Sequence, residues 1–530
     1  MKQYVVTASE MKRYDANTIE KYHMPALLLM ERAALVTVEE LKRVRGEKPC
    51  RVLVVAGCGN NGGDGLAIGR LLMLQGYAVT CVLLGSEDKC TEETARQLCI
   101  LREYGAQIFS TIQDGEYDIV IDAIFGVGLS RPVTGICEDA VEWINAGNAY
   151  VCSVDIPSGI RADTGEVMGC AVQADLTVTY GFRKLGHLLY PGAGYTGKLV
   201  CRQMGIDERS FLGEEPGWYT YVGAESRVLP ARRPDGNKGT FGKALLIVGS
   251  EKIAGAAMMA AKSAFRIGTG MVKIVTAEEN RNALMQYVPE TMMLTYSVNI
   301  FSEDSESSGE ETLFLKELKN AETWADCILI GPGIGTEKSA HELLRFSISE
   351  SNLPLVIDAD GLNLLAEDKK LQETVAECGR QGRTVILTTH LGEFARLYGC
   401  STAQAKEHLT EYPAELSKRL QSIVVCKDAR TVVVCPDMRQ NYVNTTGNAG
   451  MATAGSGDVL AGMITGLVAQ KLSGADASAA GVYLHGIAGD LAAERETETA
   501  MTATDIIERI GDVILMQQGN AKQNETEKRP

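Results

Sequence analysis

The chain is poor in basic charge: 52 lysines and arginines face 68 aspartates and glutamates, a formal net charge of -16. A protein that tracks a phosphate backbone needs a basic face, so this balance argues against a nucleic-acid binder. No two of the 14 cysteines stand at C-x-x-C spacing, which removes the simplest redox and zinc motifs. No apolar run approaches the roughly 18 residues of a membrane span. The opening MKQYVVTASEMKRYDANTIE also lacks the basic and apolar regions of a signal peptide. Histidine is scarce, and His23, His187, His341, His408 and His485 show no paired metal-ligand spacing. The expectation left by these absences is a cytoplasmic small-molecule enzyme with reduced thiols. Cys81, Cys152, Cys327, Cys426 and Cys435 lie in or beside apolar runs and read as buried.

What is present is length and alternation. A chain of 530 residues exceeds the roughly 250–300 that one core serves, so two domains are expected. RVLVVAG (51–57), AVTCVLLG (78–85), YDIVIDAIFG (117–126) and AYVCSVDIPSG (149–159) read as strands buried on both faces. Helical stretches separate them, such as DGLAIGRLLMLQG (64–76), with Leu66, Gly69, Leu72 and Met73 on one face. The pattern weakens over a polar stretch with several Gly and Pro, which places a boundary near 214–223. It resumes with KALLIVGS (243–250), DCILIGPGIG (326–335), LPLVIDADG (353–361), TVILTTH (384–390) and SIVVCKDARTVVV (422–434). The fold class is α/β in two domains, each with a parallel sheet covered by helices. The acidic FSEDSESSGEE (301–311) reads as a surface loop, and 518–530 as a flexible tail.

Two glycine-rich stretches carry the chemistry. GCGNNGGDG (57–65) follows a strand and opens a helix, the place where open α/β sheets bind ligands. It departs from the dinucleotide G-x-G-x-x-G fingerprint, because an Asn pair fills the turn and an anionic Asp64 would compete with pyrophosphate for the backbone donors. Recognition of polar groups or a cation suits it better. The next strands end at Asp122 and at VDIPSG, with Asp155 and Ser158 on the same rim. Asn61, Asp122 and Ser158 are therefore candidate oxygen ligands of a hard cation, and one carboxylate among few oxygens suits a monovalent ion. GVGLSRP (126–132) places a loop with Arg131 over the rim. The bland alternative is that Asp64 caps a helix and Asp155 ends a strand.

MKRYDANTIEKYHMPALLLMERAA (11–34), GCGNNGGDG, IDAIFGVGLSRP (121–132) and VDIPSG (154–159) resemble the NAD(P)H-hydrate epimerase family over about 9–207. The resemblance implies a Rossmann-like three-layer α/β/α domain (1–218). It implies potassium at Asn61, Asp122 and Ser158. The hydrated nicotinamide would lie against Asn60, Asn61, Gly62, Gly63 and Asp64, against Gly126, Val127, Gly128, Leu129, Ser130, Arg131 and Pro132, and against Asp155. Cys58 stands where the family often has Gly or Pro. Epimerisation at C6 opens and recloses a hemiaminal-like centre, and Asp155 is the candidate to shuttle the hydroxyl proton.

NAGMATAGSGDVLAG (448–462) is the second stretch. Leu460, Met463, Ile464 and Leu467 repeat with amphipathic-helix spacing after it. Gly455 and Gly457 let the backbone N–H groups turn outward at the positive end of that helix, which makes an anion hole. Asp458 on its edge is badly placed to bind phosphate and well placed to take a proton from a hydroxyl that attacks one. The bland alternative is a helix cap supplied by Ser456 or Asp458. GNAGMATAGSGDVLAGM (447–463), LIGPGIG (329–335), VIDADGLNLL (356–365), THLGEFARL (389–397) and KDARTVV (427–433) together resemble the ADP-dependent NAD(P)H-hydrate dehydratase family, over about 229–517. The resemblance implies a ribokinase-like α/β domain (222–517). ADP would lie along Lys427, Asp428, Ala429, Arg430 and Thr431, and along Asn448, Ala449, Gly450, Met451, Ala452, Thr453, Ala454, Gly455, Ser456 and Gly457. Gly255, Ala256, Gly333, His390 and Asp458 would face the hydrate, and magnesium would accompany ADP. Leu391 and Ala449 stand where the family has Pro.

The expected activity is repair of hydrated nicotinamide cofactors: epimerisation of the R and S hydrates and ADP-driven dehydration of the S form to NAD(P)H, AMP and phosphate. A homo-oligomer is expected, with no nucleic-acid or membrane partner. One rival is an ATP-dependent small-molecule kinase, which would release a stable phosphorylated product. Another treats the N-terminal half as a non-catalytic binding module, and the presence of Asn61, Asp122, Asp155 and Ser158 argues against it.

Overall fold

The computed structural model describes residues 2–526 except 114, 224–225, 303–308 and 438–439, with side chains as far as 518. The chain divides into two compact units, Tyr4–Trp218 and Tyr219–Pro530, the latter including residues 1–3.

In the N-terminal unit a 7-stranded sheet runs in the order Ile108–Phe109, Ala78–Leu83, Arg51–Ala56, Ile119–Ala123, Tyr150–Val154, Leu176–Tyr180, Lys198–Arg202, every neighbouring pair parallel. Alternation along the strand decides the layering. Val52, Val54 and Ala56 face one core with Leu29, Leu41, Leu66 and Leu98 from the helices Ala26–Arg45, Asn60–Met73 and Glu92–Glu103. Leu53 and Val55 face the other with Ala140, Val141 and Ile144 from the helix Ile136–Ala146. A strand that must satisfy both cores cannot alternate polar and apolar residues, which is why it reads as a continuous apolar run.

The C-terminal unit repeats the plan. Its parallel strands run Met292–Tyr296, Met271–Ala277, Lys243–Ile247, Cys327–Ile330, Leu355–Asp358, Val385–His390, Ile423–Lys427. Val432–Val434 and Asn441–Val443 then continue the sheet antiparallel. In both units the first parallel strand lies inside the sheet with later strands on either side, so a crevice opens beyond Arg51–Ala56 in one and beyond Lys243–Ile247 in the other.

The structure corrects several expectations. The helix after GCG begins at Asn60, so Asn60 to Asp64 lie within it rather than in a loop, and its cap is Gly59 with no side-chain hydrogen bond. The helix Ser456–Ala469 is not amphipathic: Val459 through Ala469 are all buried. A Cβ at Gly462 would lie 2.3 Å from the Ala260 carbonyl oxygen and 2.1 Å from Ser263 Oγ. Glycine there lets this helix sit directly on Gly255–Arg266, and the apolar spacing tracks burial on every side. The run 422–434 is a hairpin of two strands. Leu176–Tyr180, Lys198–Arg202, Met271–Ala277 and Met292–Tyr296 are strands beyond those read from the sequence. Of the acidic stretch 301–311, residues 303–308 lie outside the described residues, and Glu310 and Glu311 begin a helix. The last helix runs Ala503–Thr526, through most of the expected tail; 527–530 lie outside the described residues. The cysteines read as buried are buried. Among the described residues no helix is long and apolar enough to cross a membrane.

Candidate active sites

The uncapped start of the helix Asn60–Met73 faces a cavity of about 820 Å³. Asn60, Asn61, Asp64, Gly126, Val127, Gly128, Leu129, Ser130, Arg131 and Asp155 all line it. Gly62, Gly63 and Pro132 do not, for packing reasons. A Cβ on Gly62 would lie 1.8 Å from the Gly57 carbonyl oxygen, and one on Gly63 would strike Met30 and Thr94, so both are pressed inward. Pro132 packs beside Gly169, where the next residue, Val133, donates its N–H to the Met168 carbonyl at 2.8 Å. The cavity wall also includes Met11, Asp15, Met30, Tyr180 and Lys184, none of which the sequence singles out.

Beneath this wall Asp122 is fully buried. Its Oδ1 accepts from Ser158 Oγ at 2.5 Å, and its Oδ2 accepts from Ser153 Oγ at 2.7 Å and from the Ser158 N–H at 2.9 Å. Burial raises its pKa against these hydrogen bonds. No ion pair compensates the charge among the described residues. Ser158 Oγ also lies 3.3 Å from the Phe125 carbonyl oxygen, and Asn61 packs against Gly126 with its Nδ2 buried and unpartnered. A buried carboxylate without a cationic side chain, ringed by hydroxyl, carbonyl and amide groups, fits a monovalent cation.

Asp155 occupies a conformation unusual for a residue with a side chain, φ +65°. Lys184, 1% exposed, places Nζ 2.5 Å from Asp155 Oδ1. The same ammonium reaches Thr179 Oγ1 at 2.8 Å, and Thr179 donates to Asp155 Oδ1 at 2.9 Å. His187 Nδ1 accepts the Lys184 N–H at 3.0 Å, which leaves Nε2–H to donate to the Asp155 carbonyl oxygen at 2.8 Å. Burial and the adjacent Lys184 push His187 down to about 3, so it is neutral. Burial alone would raise Asp155, but the Lys184 charge and hydrogen bond outweigh it and hold the carboxylate ionised. Asp64 goes the other way: burial first, then the charges of Asp155 and Asp15, raise it well above the ordinary aspartate range. Its burial and these neighbours favour the protonated form, against the sequence reading of Asp64 as an anion.

In the C-terminal unit the helix Ser456–Ala469 is capped by Gly455 at φ +91°, without a side-chain hydrogen bond. Neither Ser456 nor Asp458 caps it; the Ser456 N–H donates to the Thr453 carbonyl at 3.4 Å, and those of Gly457 and Asp458 stay open to an anion. Lys427 stands beside them: a Cβ on Gly457 would lie 3.3 Å from its Nζ. That ammonium is paired with buried Asp358 at 2.8 Å. Burial raises Asp458 to about 7, Asp358, Asp360 and Glu393 push the same way, and Lys427 opposes them. Behind the loop, Asp490 accepts from the Gly447 N–H and from Asn448 Nδ2, at 3.0 and 3.1 Å. Asn448 in turn accepts from the Gly450 N–H at 3.0 Å, so its side chain braces the turn that contains Ala449 and Met451. Asp428, Ala429, Arg430 and Thr431 form the hairpin after Lys427, and Thr431 accepts from the Asn444 N–H through its carbonyl at 2.9 Å. Gly333, at φ +66°, abuts Ile253 and Ala256, which joins it to the start of Gly255–Arg266. His390 is the cap of Leu391–Tyr398: Nδ1 accepts from the Gly392 and Glu393 N–H groups at 2.9 and 3.3 Å. His485 is buried, pushed down to about 4 by burial and Lys427, and its Nε2 lies 3.4 Å from Ser456 Oγ. Sequence spacing offers no sign of the roles of Asp358 and His485, whose partners Lys427 and Ser456 lie on other elements, whereas Glu393 pairs with His390 three residues before it.

The model of the family described as YjeF-related protein N-terminus matches residues 26–186, and that described as NAD(P)H-hydrate dehydratase matches 244–512. The bifunctional NAD(P)H-hydrate repair enzyme Nnr of Moorella thermoacetica is 35% identical over 95% of this chain and 95% of its own. Its counterpart in Thermofilum pendens is 36% identical over 95% and 94%, and that of Escherichia coli 33% identical over 87% and 84%. Two α/β units in one chain, each with an uncapped helix start beside an aspartate of displaced pKa, and end-to-end similarity to these relatives lead to one conclusion: the chain belongs to the family of bifunctional NAD(P)H-hydrate repair enzymes.

Proposed function

We propose that residues 1–218 interconvert the R and S hydrates of NADH and NADPH, and that residues 222–517 dehydrate the S hydrate with ADP. The observation that carries the second half is the pairing of an open helix start with Asp458, raised to about 7. Near neutrality such a carboxylate accepts a proton and remains basic enough to use it. Asp458 takes the C6 hydroxyl proton, the hydroxyl oxygen attacks the terminal phosphorus of ADP, and AMP leaves. The C6–O bond then breaks with phosphate as the leaving group, driven by the ring nitrogen lone pair, and loss of a C5 proton restores NAD(P)H. Lys427 and the N–H groups of Gly457 and Asp458 supply the positive field for the transferred group. Asn448 to Gly457 and Lys427 to Thr431 form the ADP side, and Gly255, Ala256, Gly333 and His390 the hydrate side. Magnesium arrives with the ADP phosphates; among the described residues no group of three or more His, Cys, Asp or Glu is arranged to hold a metal ion.

In the first half, Asp155 accepts the C6 hydroxyl proton as the hemiaminal opens and returns it on closure. Its support is position: it lines the cavity, ionised and braced by Lys184 and His187. Asn61, Asp122 and Ser158 would hold potassium, which supplies positive charge under the cavity floor. A reducing cytoplasm suits the free thiols. A second copy would cover the exposed Leu27, Leu28 and Leu35 of the helix Ala26–Arg45 in a homo-oligomer.

The test is recovery of reduced-nicotinamide absorbance when the protein meets a mixture of R and S hydrates with ADP or ATP. Recovery of the whole pool with ADP is expected. Recovery of the S fraction alone would refute the epimerase, and a stable phosphorylated product would refute the dehydratase in favour of a kinase.

A further inference from the structure

Asp64 is the fifth residue of the helix Asn60–Met73, past the positions from which a side chain caps the first N–H groups, so its carboxyl has no capping role. Among the described residues it makes no hydrogen bond and no ion pair, although it lines the same cavity as Asp155 and Lys184. A carboxyl so placed faces whatever fills the cavity, substrate or water. Asp155 is its opposite, held by Lys184, Thr179 and the Tyr180 N–H. Both sit at the cavity beyond strands of one sheet, one after Arg51–Ala56 and one after Tyr150–Val154, with Ile119–Ala123 between them.

We infer that Asp64 is the second proton-transfer group of this site, the acid that works opposite Asp155, and that Lys184 is the positioning residue that fixes which of the two carries the proton. The inference rests on the reading of this unit as the epimerase. Opening a hemiaminal needs two proton transfers. Asp155 takes the proton of the C6 hydroxyl as the C6–N1 bond breaks and C6 becomes an aldehyde carbon. The electron pair of that bond goes to N1, which takes the proton of Asp64. Rotation about C5–C6 presents the other face, N1 adds back to C6, its proton returns to Asp64, and Asp155 returns its proton to the oxygen. A single carboxylate would have to carry the proton from oxygen to nitrogen and back within one turnover, whereas two divide the transfers between fixed positions.

The electrostatics agree with this division. Burial and the charges of Asp155 and Asp15 disfavour ionisation of Asp64, and Lys184, the cation that opposes them, is paired with Asp155. Two carboxyls with pKa values driven apart in one cavity are an acid and a base. Lys12, Glu93 and Arg131 complete the charged lining.

The experiment follows the R to S ratio of NADH hydrate by chromatography on the full-length protein without ADP. Thermal unfolding of the N-terminal unit, read on the transition that ADP does not raise, checks folding in the same samples. Asp64→Asn is expected to lower the epimerisation kcat by roughly 10²–10⁴-fold with little change in KM. Asp64→Glu, which keeps an acid, should recover part of that loss. Lys184→Met should move the acid limb of the pH–rate profile to higher pH, and Lys184→Arg should restore it. An Asp64→Asn enzyme within about threefold of the parent kcat, or a loss confined to KM, overturns the inference. So does a Lys184→Met profile with an unmoved acid limb. If the parent protein and Asp155→Ala are equally idle, the epimerase reading itself fails; if Asp155→Ala is idle and Asp64→Asn is not, only the role of Asp64 fails.

Discussion

Asp458→Asn should abolish turnover and make the protein more stable, and the two effects share one cause. Burial, reinforced by Asp358, Asp360 and Glu393, raises this carboxyl from the ordinary 3.8 to about 7. The native state therefore binds its proton more tightly than the unfolded chain does. Between those two values the native state holds more protons, so stability falls as pH rises, and the loss is complete above pH 7. The full cost is about 4 kcal/mol at roughly 1.4 kcal/mol per pH unit. Asparagine never ionises and escapes it. The variant should match the parent near pH 4, gain steadily through pH 5 and 6, and keep a constant advantage from pH 7 upward.

The assay is thermal unfolding across that range, read on the transition that ADP raises, since a ligand of the folded C-terminal unit stabilises only that unit. Several degrees of gain at pH 8 are expected, with a kcat lowered by roughly 10²–10⁴-fold and ADP affinity retained. A stability difference that is flat from pH 5 to 8 would refute the electrostatic argument. Lost ADP affinity with residual chemistry intact would make Asp458 a nucleotide-binding residue.

Asp155→Ala should stop epimerisation and leave dehydration of the S hydrate unchanged; normal epimerisation on a chromatographic assay would remove Asp155 from the mechanism. Lys427→Met strands the Asp358 carboxylate, 2% exposed, without its partner. It should destabilise the C-terminal unit by about 3–5 kcal/mol in urea unfolding and raise the KM for ADP, and an unchanged midpoint would contradict the buried pair. Gly462→Ala drives a methyl into the Ala260 carbonyl and Ser263 Oγ. It should cost about 1–3 kcal/mol by the same unfolding measurement without touching the chemistry, and a neutral outcome would show that the two helices separate freely.

Both sheets were legible because a parallel strand buried on two faces has to be apolar at nearly every position. Val52 to Ala56 divide between two cores, and within KALLIVGS the alternate residues Ala244, Leu246 and Val248 share one core while Leu245 and Ile247 are buried as well. The start of Asn60–Met73 was not legible. Asn-Asn-Gly-Gly is a poor helix former, and what makes it helical is the contact of Gly62 with the Gly57 carbonyl and of Gly63 with Met30, which no local rule contains. The amphipathic reading of Ser456–Ala469 failed for a related reason: Gly462 and Gly466 admit a neighbouring helix where the pattern predicts solvent. Glycine-rich loops and strand-end aspartates marked where the sites lie. The groups that set their protonation did not show, because Lys184 stands 29 residues from Asp155 and Lys427 stands 69 from Asp358.

Those two lysines explain why similar frameworks carry different bases. Each unit presents a glycine-capped helix at the crevice of a parallel sheet, an aspartate in its first turns, and one buried lysine nearby. In the N-terminal unit the ammonium lies on Asp155 itself and holds its pKa down, while burial and neighbouring carboxylates drive that of the helix aspartate, Asp64, up. In the C-terminal unit the ammonium lies on Asp358, and the helix aspartate, Asp458, is held near neutrality by burial and by the surplus of carboxylates around it. Opening a hemiaminal uses a donor and an acceptor, which two carboxyls with pKa values shifted in opposite directions provide. Activating a hydroxyl toward phosphorus needs one strong acceptor, and a carboxylate near pH 7 is a far better one than a carboxylate fixed by a lysine.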